Sequence, residues 1–328
     1  MGRPHFCRKR RSRLVLGDES AFDFAKRDEN ENENFTASPE APAQSLPAAV
    51  LAAGAGDPAS AVVAPAGHAG WLNSPHAILL QADSGEVLAE KDADSTIYPA
   101  SMTKMMTALL AIEANPDLDT PVTLPEEIFP ALQAQNASLA GFQAGETATV
   151  RDLLYGAMLP SGAECCEALA REVSGSEEAF VARMNQKAAG LGMTGTHFCN
   201  PTGLHDPEHV STVRDMARLT EAALQNETFR KLFTTERYTV PATNCHPQGF
   251  TMHSTLLSQL DGTELHRGRI LGGKTGYTGE AGLCLASLAE VKGREYILVT
   301  AGAGGNHSTA PYHIEDAVTV YRRVSRGT

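Results

Sequence analysis

The chain has 328 residues, 42% of them hydrophobic, enough to bury one large core or two modest ones. A formal net charge of −12 sets it against polyanions, so nucleic acid is not an expected partner. No run of about 18 apolar residues is present, which removes a transmembrane helix from the reading. The six cysteines and eleven histidines show neither a Cys-x-x-Cys pair nor metal-ligand spacing, so no metal, cofactor or required disulfide is expected.

Residues 1–75 carry no helical or strand periodicity. A basic cluster, Arg8-Lys9-Arg10-Arg11-Ser12-Arg13, gives way to the acidic run 28–33 and then to an Ala/Pro/Gly-rich stretch reaching Gly70. Such composition buries too little apolar surface to offset chain entropy and reads as a disordered leader or tether. The basic cluster looks like the start of a signal peptide. Leu14-Val15-Leu16 is too short for its apolar region, and Asp18 and Glu19 follow at once, so no clear export signal is legible.

Order is expected from near Pro75. Two short apolar runs, 77–82 and 86–91, flank Asp83-Ser84-Gly85 and predict a β-hairpin. Pro99 precedes a helix in which Met102, Met105, Met106, Leu109 and Leu110 fall at i, i+3, i+4, i+7 and i+8, one buried stripe. Ser101, Lys104, Ala108 and Ala111 share a neighbouring face of small residues, so this helix is expected to be buried nearly all round, with a polar patch at its start. From about 116 to 230 the pattern is mostly helical, with segments at 149–159, 163–174, 177–190 and 212–226. Adjacent Cys165 and Cys166 project in different directions, and at least one belongs to the core. Asp215 and Arg218 read as a surface pair. Strand-like stretches follow at 238–240, 269–275, 282–288 and 296–301, then a closing helix from about 312 to 324. The pattern predicts an α+β domain over 76–328, an antiparallel sheet with flanking helices, interrupted by an all-helical subdomain at about 116–230.

Three short motifs stand out: Ser101-Met102-Thr103-Lys104, Ser161-Gly162-Ala163 and Lys274-Thr275-Gly276. Ser-x-x-Lys puts a hydroxyl and an amine one helical turn apart, with the hydroxyl at a helix start that favours developing negative charge. Buried near a second cation, Lys274, the Lys104 amine would be pushed toward neutrality, as a proton acceptor requires. Ser161 precedes a helix and suits an N-cap. Gly276 would let a substrate strand approach the backbone. Each motif alone is common; the ordered set outlines a serine acyl-transfer site with lysine in place of histidine.

These motifs come with Tyr98-Pro99-Ala100 before the first, Asn200-Pro201-Thr202-Gly203-Leu204-His205-Asp206 between, and Tyr277-Thr278-Gly279 after the last. From about residue 76 onward the chain resembles the serine-type D-alanyl-D-alanine carboxypeptidases, the low-molecular-weight penicillin-binding proteins. The resemblance implies the fold shared by penicillin-binding proteins and serine β-lactamases, with the site in a cleft between sheet and helical parts. It implies Ser101 as nucleophile, Lys104 as general base, Ser161 as proton relay, and Lys274 and Thr275 as the anchor for a terminal carboxylate. The backbone N–H groups of Ser101 and Tyr277 would form the oxyanion hole. The implied partners are the D-Ala-D-Ala end of the peptidoglycan stem peptide and β-lactams as inhibitors, and the implied location is extracytoplasmic.

One departure is that Ala163 stands where the family most often has asparagine. Glu164 beside it either compensates or serves as a first-turn acid on the helix dipole. The 200–203 stretch reads as a structural turn near the cleft, and a Ser-His-Asp triad through His205 and Asp206 is set aside because Lys104 supplies the base. Competing readings are a D,D-endopeptidase, a serine β-lactamase (no Glu-x-x-Leu-Asn element follows the second motif) and a non-catalytic wall-binding scaffold. With Thr328 directly after the closing helix, neither a further β-domain nor an amphipathic anchor is expected.

Overall fold

The computed structural model describes residues 72–260, 262 and 264–326, and the leader reading, except for 72–75, lies outside them. The hairpin forms as β1 (His76–Gln81) and β2 (Val87–Lys91). A 3₁₀ turn at Ala100–Thr103 then leads into α1 (Lys104–Ala114), every residue of which from Lys104 to Ala111 is buried. The methionine–leucine stripe thus lies in the main hydrophobic core of the described residues.

The insertion holds α2 (Ile128–Ala134), α3 (Val150–Met158), α4 (Ala163–Ser174), α5 (Glu177–Gly190), α6 (Val213–Leu224) and α7 (Glu227–Thr234). Its helix starts are written locally. Thr149 and Asp152 form a capping box on α3, and Ser176, Thr212 and Asn226 cap α5, α6 and α7. The insertion is mainly helical but also carries a two-stranded ribbon, β3 (Pro121–Thr123) with β4 (Thr147–Thr149), and a second ribbon follows it, β5 (Arg237–Val240) with β6 (Phe250–His253). Strands three and four residues long leave little periodicity to read.

The chain returns to the sheet through β7 (Glu264–Leu265), β8 (Gly268–Thr278), β9 (Gly282–Val291) and β10 (Arg294–Ala303), and closes with α8 (Tyr312–Arg326). The six-stranded order is β2-β1-β10-β9-β8-β7, antiparallel throughout, with β1 paired to β10 from His76↔Ala301 to Gln81↔Tyr296. Both faces are covered, so the central strands read as continuous apolar runs while their side chains still alternate. Ile78, Leu80, Cys284, Ala286, Ile297 and Val299 face the helical core; Leu79, Leu285 and Leu298 face α8 and Tyr321. Cys165 and Cys166 are both fully buried. Asp215 is not a surface residue: it accepts from Gly195 N and Thr196 Oγ1 while Arg218 reaches it from the half-exposed side at 2.7 Å. No described helix is long and apolar enough to cross a membrane.

Candidate active site

The 3₁₀ turn that carries Ser101 is held by three neighbours. Ala100 before it has φ +48°, a left-handed backbone uncommon for alanine. Gly203, φ +78°, lies so close behind that a Cβ there would stand 1.9 Å from the Ala100 carbonyl oxygen. On the other side β8 passes at Gly276, where a Cβ would stand 3.1 Å from Ser101 N and 3.2 Å from the Pro99 carbonyl oxygen. The missing side chain of Gly276 makes room for the nucleophile's own turn, while the residue also lines the cleft cavity.

Lys104 Nζ lies 2.9 Å from Ser101 Oγ and donates to the Thr202 carbonyl at 2.5 Å, with the residue only 2% exposed. The 200–203 turn is therefore more than a connector. Asn200 Oδ1 accepts from Thr202 N, Thr202 Oγ1 and Gly203 N, and this wound turn presents the carbonyl that holds the lysine. Thr103 is tied to His209 at 2.7 Å; because Cys199 N donates to His209 Nδ1, Nε2 carries the proton to the threonine hydroxyl. Burial pushes His209 down to about 4, which keeps it neutral.

The second motif differs from its expected role. Ser161 is not the N-cap of α4: Gly162 takes that place, and Ser161 sits two residues before the helix with φ +70°. That conformation points its hydroxyl at Lys274 Nζ, 2.9 Å away. Lys274 also donates to the Thr275 carbonyl at 2.9 Å and has no exposed surface. Its amine is bonded within the wall, behind the residues that line the cleft cavity. Thr275 does line it, with its hydroxyl 2.6 Å from that of Thr255, a residue no motif announced. Burial lowers the pKa of both lysines, and the positive charge of Lys104 lowers Lys274 further. For Lys104 the lowering is opposed by the nearby thiols and carboxylates of Cys166, Glu164, Cys165 and Glu167.

Glu164, with no exposed surface, does not reach Lys104. Its Oε1 accepts from Ala140 N at 2.6 Å and Gly141 N at 3.0 Å, pinning the 138–141 loop at the cleft mouth, and burial raises its pKa. Glu164 stands in the first turn of α4, as one of the two sequence readings has it, and beyond that the acid organises a loop.

One cavity of about 210 Å³ is lined by Ser101, Ser161, Thr275, Gly276 and Tyr277, joined by Ser138, Thr255 and, around the start of α8, Asn306, His307, Thr309, Pro311 and His313. Tyr277 pairs with Leu283 of β9, and β7 ends at the level of Arg269, which leaves the far half of β8 as an open sheet edge beside Ser101. His205 and Asp206 line a different cavity, of about 330 Å³, and take no part.

A sheet wrapped by helices, with two serine–lysine pairs on one cleft wall, defines a serine hydrolase of the penicillin-recognising class. A family model described as D-alanyl-D-alanine carboxypeptidase, peptidase family S11, matches residues 63–305, and the chain belongs to that family. Similar curated proteins include the D-alanyl-D-alanine carboxypeptidase DacF of Bacillus subtilis, 37% identical over 69% of this chain and 57% of the relative. The D-alanyl-D-alanine carboxypeptidase of Streptomyces sp. K15 is 33% identical over 76% of this chain and 86% of its own. The D-alanyl-D-alanine endopeptidase of Pseudomonas aeruginosa is 30% identical over 78% of each. The chain therefore spans a little over half the length of the Bacillus relative. The crystal structure of the Streptomyces K15 DD-transpeptidase superimposes with a TM-score of 0.69 at 30% identity, covering 77% of this chain and 98% of that one.

Proposed function

We propose that this protein removes the terminal D-alanine from peptidoglycan stem peptides through an acyl-enzyme on Ser101. The observation that carries the reading is the 2.9 Å contact between Ser101 Oγ and a buried lysine amine of lowered pKa. Lys104, when neutral, takes the hydroxyl proton as Oγ attacks the carbonyl carbon of the penultimate D-alanine. The carbonyl π electrons move to oxygen, which the N–H groups of Ser101 and Tyr277 receive. Collapse of the tetrahedral adduct breaks the peptide C–N bond. The proton reaches the departing amine through Ser161, whose hydroxyl is bonded to Lys274. Water then repeats the sequence on the ester and frees Ser101. The open edge of β8 gives the substrate backbone a strand to lie against, and Thr275 meets its terminal carboxylate.

Among the described residues no carboxylate lines the cleft cavity, since Glu164 is committed to the 138–141 loop and Glu167 lines the other cavity. A β-lactam ester on Ser101 thus lacks a carboxylate base dedicated to activating water, which favours a long-lived penicillin adduct over β-lactamase turnover. A D,D-endopeptidase would share each step and differ only in the amine that leaves. Its site of action on the wall places the enzyme outside the cytoplasm, and the 1–75 segment serves as a leader or tether.

Incubation with a stem pentapeptide is expected to release one D-alanine, read by mass spectrometry. Penicillin should label Ser101 in a peptide map with a half-life of many minutes. Label on another serine, or undiminished label on Ser101→Ala, contradicts the assignment; rapid loss of the adduct with hydrolysed drug points to a β-lactamase.

A further inference from the structure

The wall of the cleft cavity is built from hydroxyls, amides, apolar groups and two imidazoles; among the described residues it includes no lysine, arginine, aspartate or glutamate. The proposed substrate nevertheless ends in a carboxylate, which sheds water on entry and needs donors in exchange. Lys274 lies behind the wall, its amine bonded to Ser161 and the Thr275 carbonyl. Thr275 offers one hydroxyl, and that hydroxyl is shared with Thr255. A carboxylate has about four lone-pair sites to satisfy, so the shared Thr275 hydroxyl alone leaves most of them open to other donors of the wall.

His313, in the first turn of α8, lines the same cavity. It is 5% exposed and has no hydrogen-bond partner among the described residues, and its Nδ1 is sealed from solvent with nothing to bond. A buried imidazole held without a partner costs stability and calls for an explanation. Its tautomer follows from that environment. A proton on Nδ1 would be an unmet donor, so the neutral ring carries it on Nε2, the nitrogen left to meet the cavity. Burial pushes the ring down to about 4, against the opposing charge of Asp316 on the same helix and with a smaller push from His307 on the preceding loop. The ring is thus a neutral single donor at ordinary pH. His307 stands at the exposed rim, edge-on to Tyr277 at 4.8 Å between ring centres.

We propose that His313 is a specificity-determining residue of this site, donating Nε2–H to the free terminal carboxylate of the substrate beside the Thr275 hydroxyl. Resting on the carboxypeptidase reading, the assignment adds the group that tells a free acid from a capped end. The α8 helix, remote in sequence from all three motifs, supplies it.

The test compares kcat and KM for a stem-peptide mimic ending in free D-Ala-D-Ala with those for its C-terminal amide. His313→Leu is expected to raise KM for the free acid tenfold or more and to change that for the amide less than twofold. His313→Gln, which keeps an N–H, should restore most of the preference. Equal losses on both substrates, or no loss on either, overturn the assignment. Should His313→Leu fail to fold, the Ser101→Ala chain with all histidines intact decides the matter by NMR. Bound free-acid peptide should shift the His313 ring nitrogens and the amide should not; a ring signal unmoved by saturating free acid overturns it. If the wild-type chain cleaves neither peptide, the carboxypeptidase reading fails by itself, and the ring signal still reports on His313.

Discussion

Ser161 holds a left-handed backbone that costs an L-residue roughly 1 kcal/mol or more, and in return its hydroxyl reaches Lys274. Strain and chemistry can be separated by substitution. Ser161→Gly and Ser161→Ala both remove the hydroxyl, and penicillin acylation should fall on the order of a hundredfold in each. Only glycine relieves the backbone, so urea unfolding should find the glycine variant more stable than the alanine variant by about 1 kcal/mol. Glu167 is another residue kept at a cost. It is 6% exposed, its Oε2 has no partner, and burial, with the nearby Glu177 carboxylate, raises its pKa to about 7. With the folded-state value above the unfolded one, its contribution is fully present below the ordinary carboxyl range and is lost as pH rises through about 7. Glu167→Gln should therefore stabilise the protein at pH 8 by on the order of 2–3 kcal/mol, with the gain vanishing near pH 4. Equal stability at pH 8 would show that the carboxylate finds a compensating partner in solution. At this scale the three motifs were legible because each packs its chemistry into three or four consecutive residues. Thr255 and His313 were not, since only the fold brings them to the cleft. His313 did leave a trace: it shares the buried face of α8 with Ala317, Val320 and Tyr321, an unusual place for an imidazole.

Among the elements, the contact between β8 and the 3₁₀ turn of Ser101 sets the tolerance of the site. Gly276→Ala places a methyl 3.1–3.2 Å from Ser101 N, Ala100 Cβ and the Pro99 carbonyl, close enough to displace the nucleophile by a few tenths of an ångström. Acylation should drop at least tenfold, equivalent to about 1.4 kcal/mol in the barrier, with a native circular dichroism spectrum. Gly203→Ala meets the Ala100 carbonyl at 1.9 Å with φ at +78°, so it should lower the melting temperature markedly as well. The loop at 138–141 answers to Glu164. Glu164→Gln keeps the shape but exchanges a carboxylate acceptor for an amide, and hydrogen exchange at Ala140 and Gly141 should quicken ahead of the rest of the chain. The same packing bears on Ala163, whose N–H bonds to the Ser138 carbonyl and which is buried. An asparagine there adds bulk at a buried position tied to this loop, so Ala163→Asn is expected to slow acylation. The long elements were legible in the sequence: the hairpin, the methionine helix, and the helices at 150–158, 163–174 and 177–190 each span two turns or a full strand pair. The β3–β4 ribbon, β6 and α2 were not, because three to seven residues carry no usable period and α2 holds a proline; of the second ribbon only β5 was legible, at 238–240.

For the molecule as a whole, the chain just ahead of β1 clasps α8 through Asn73 and Ser74. Asn73 N, Asn73 Nδ2 and Ser74 N all donate to the buried Asp316 carboxylate, at 2.8, 3.0 and 2.8 Å. Removal of residues 1–70, which lack a core-forming pattern, should shift the melting temperature by less than about 2 °C. Removal through Ser74 strands a buried carboxylate, and about 3 kcal/mol should be lost. A large loss from the shorter deletion would show that the leader packs on the domain.

The pairing of β1 with β10 also governs when the enzyme comes into being. His76 lies opposite Ala301, so the seam joins stretches more than two hundred positions apart, whereas the insertion between them is rich in contacts close along the chain. Closing so long a loop is slow compared with forming adjacent helices, and the helical part is expected to take shape first. Ser101 sits on the turn just after β2, and its opposite wall is β8, so the nucleophile gains its surroundings only when the seam zips. A nascent or arrested polypeptide lacking β10 should bear the serine and the lysine yet ignore penicillin. Fluorescent penicillin added during refolding would then serve as a clock for the final step, its uptake lagging behind recovery of the far-ultraviolet helical signal.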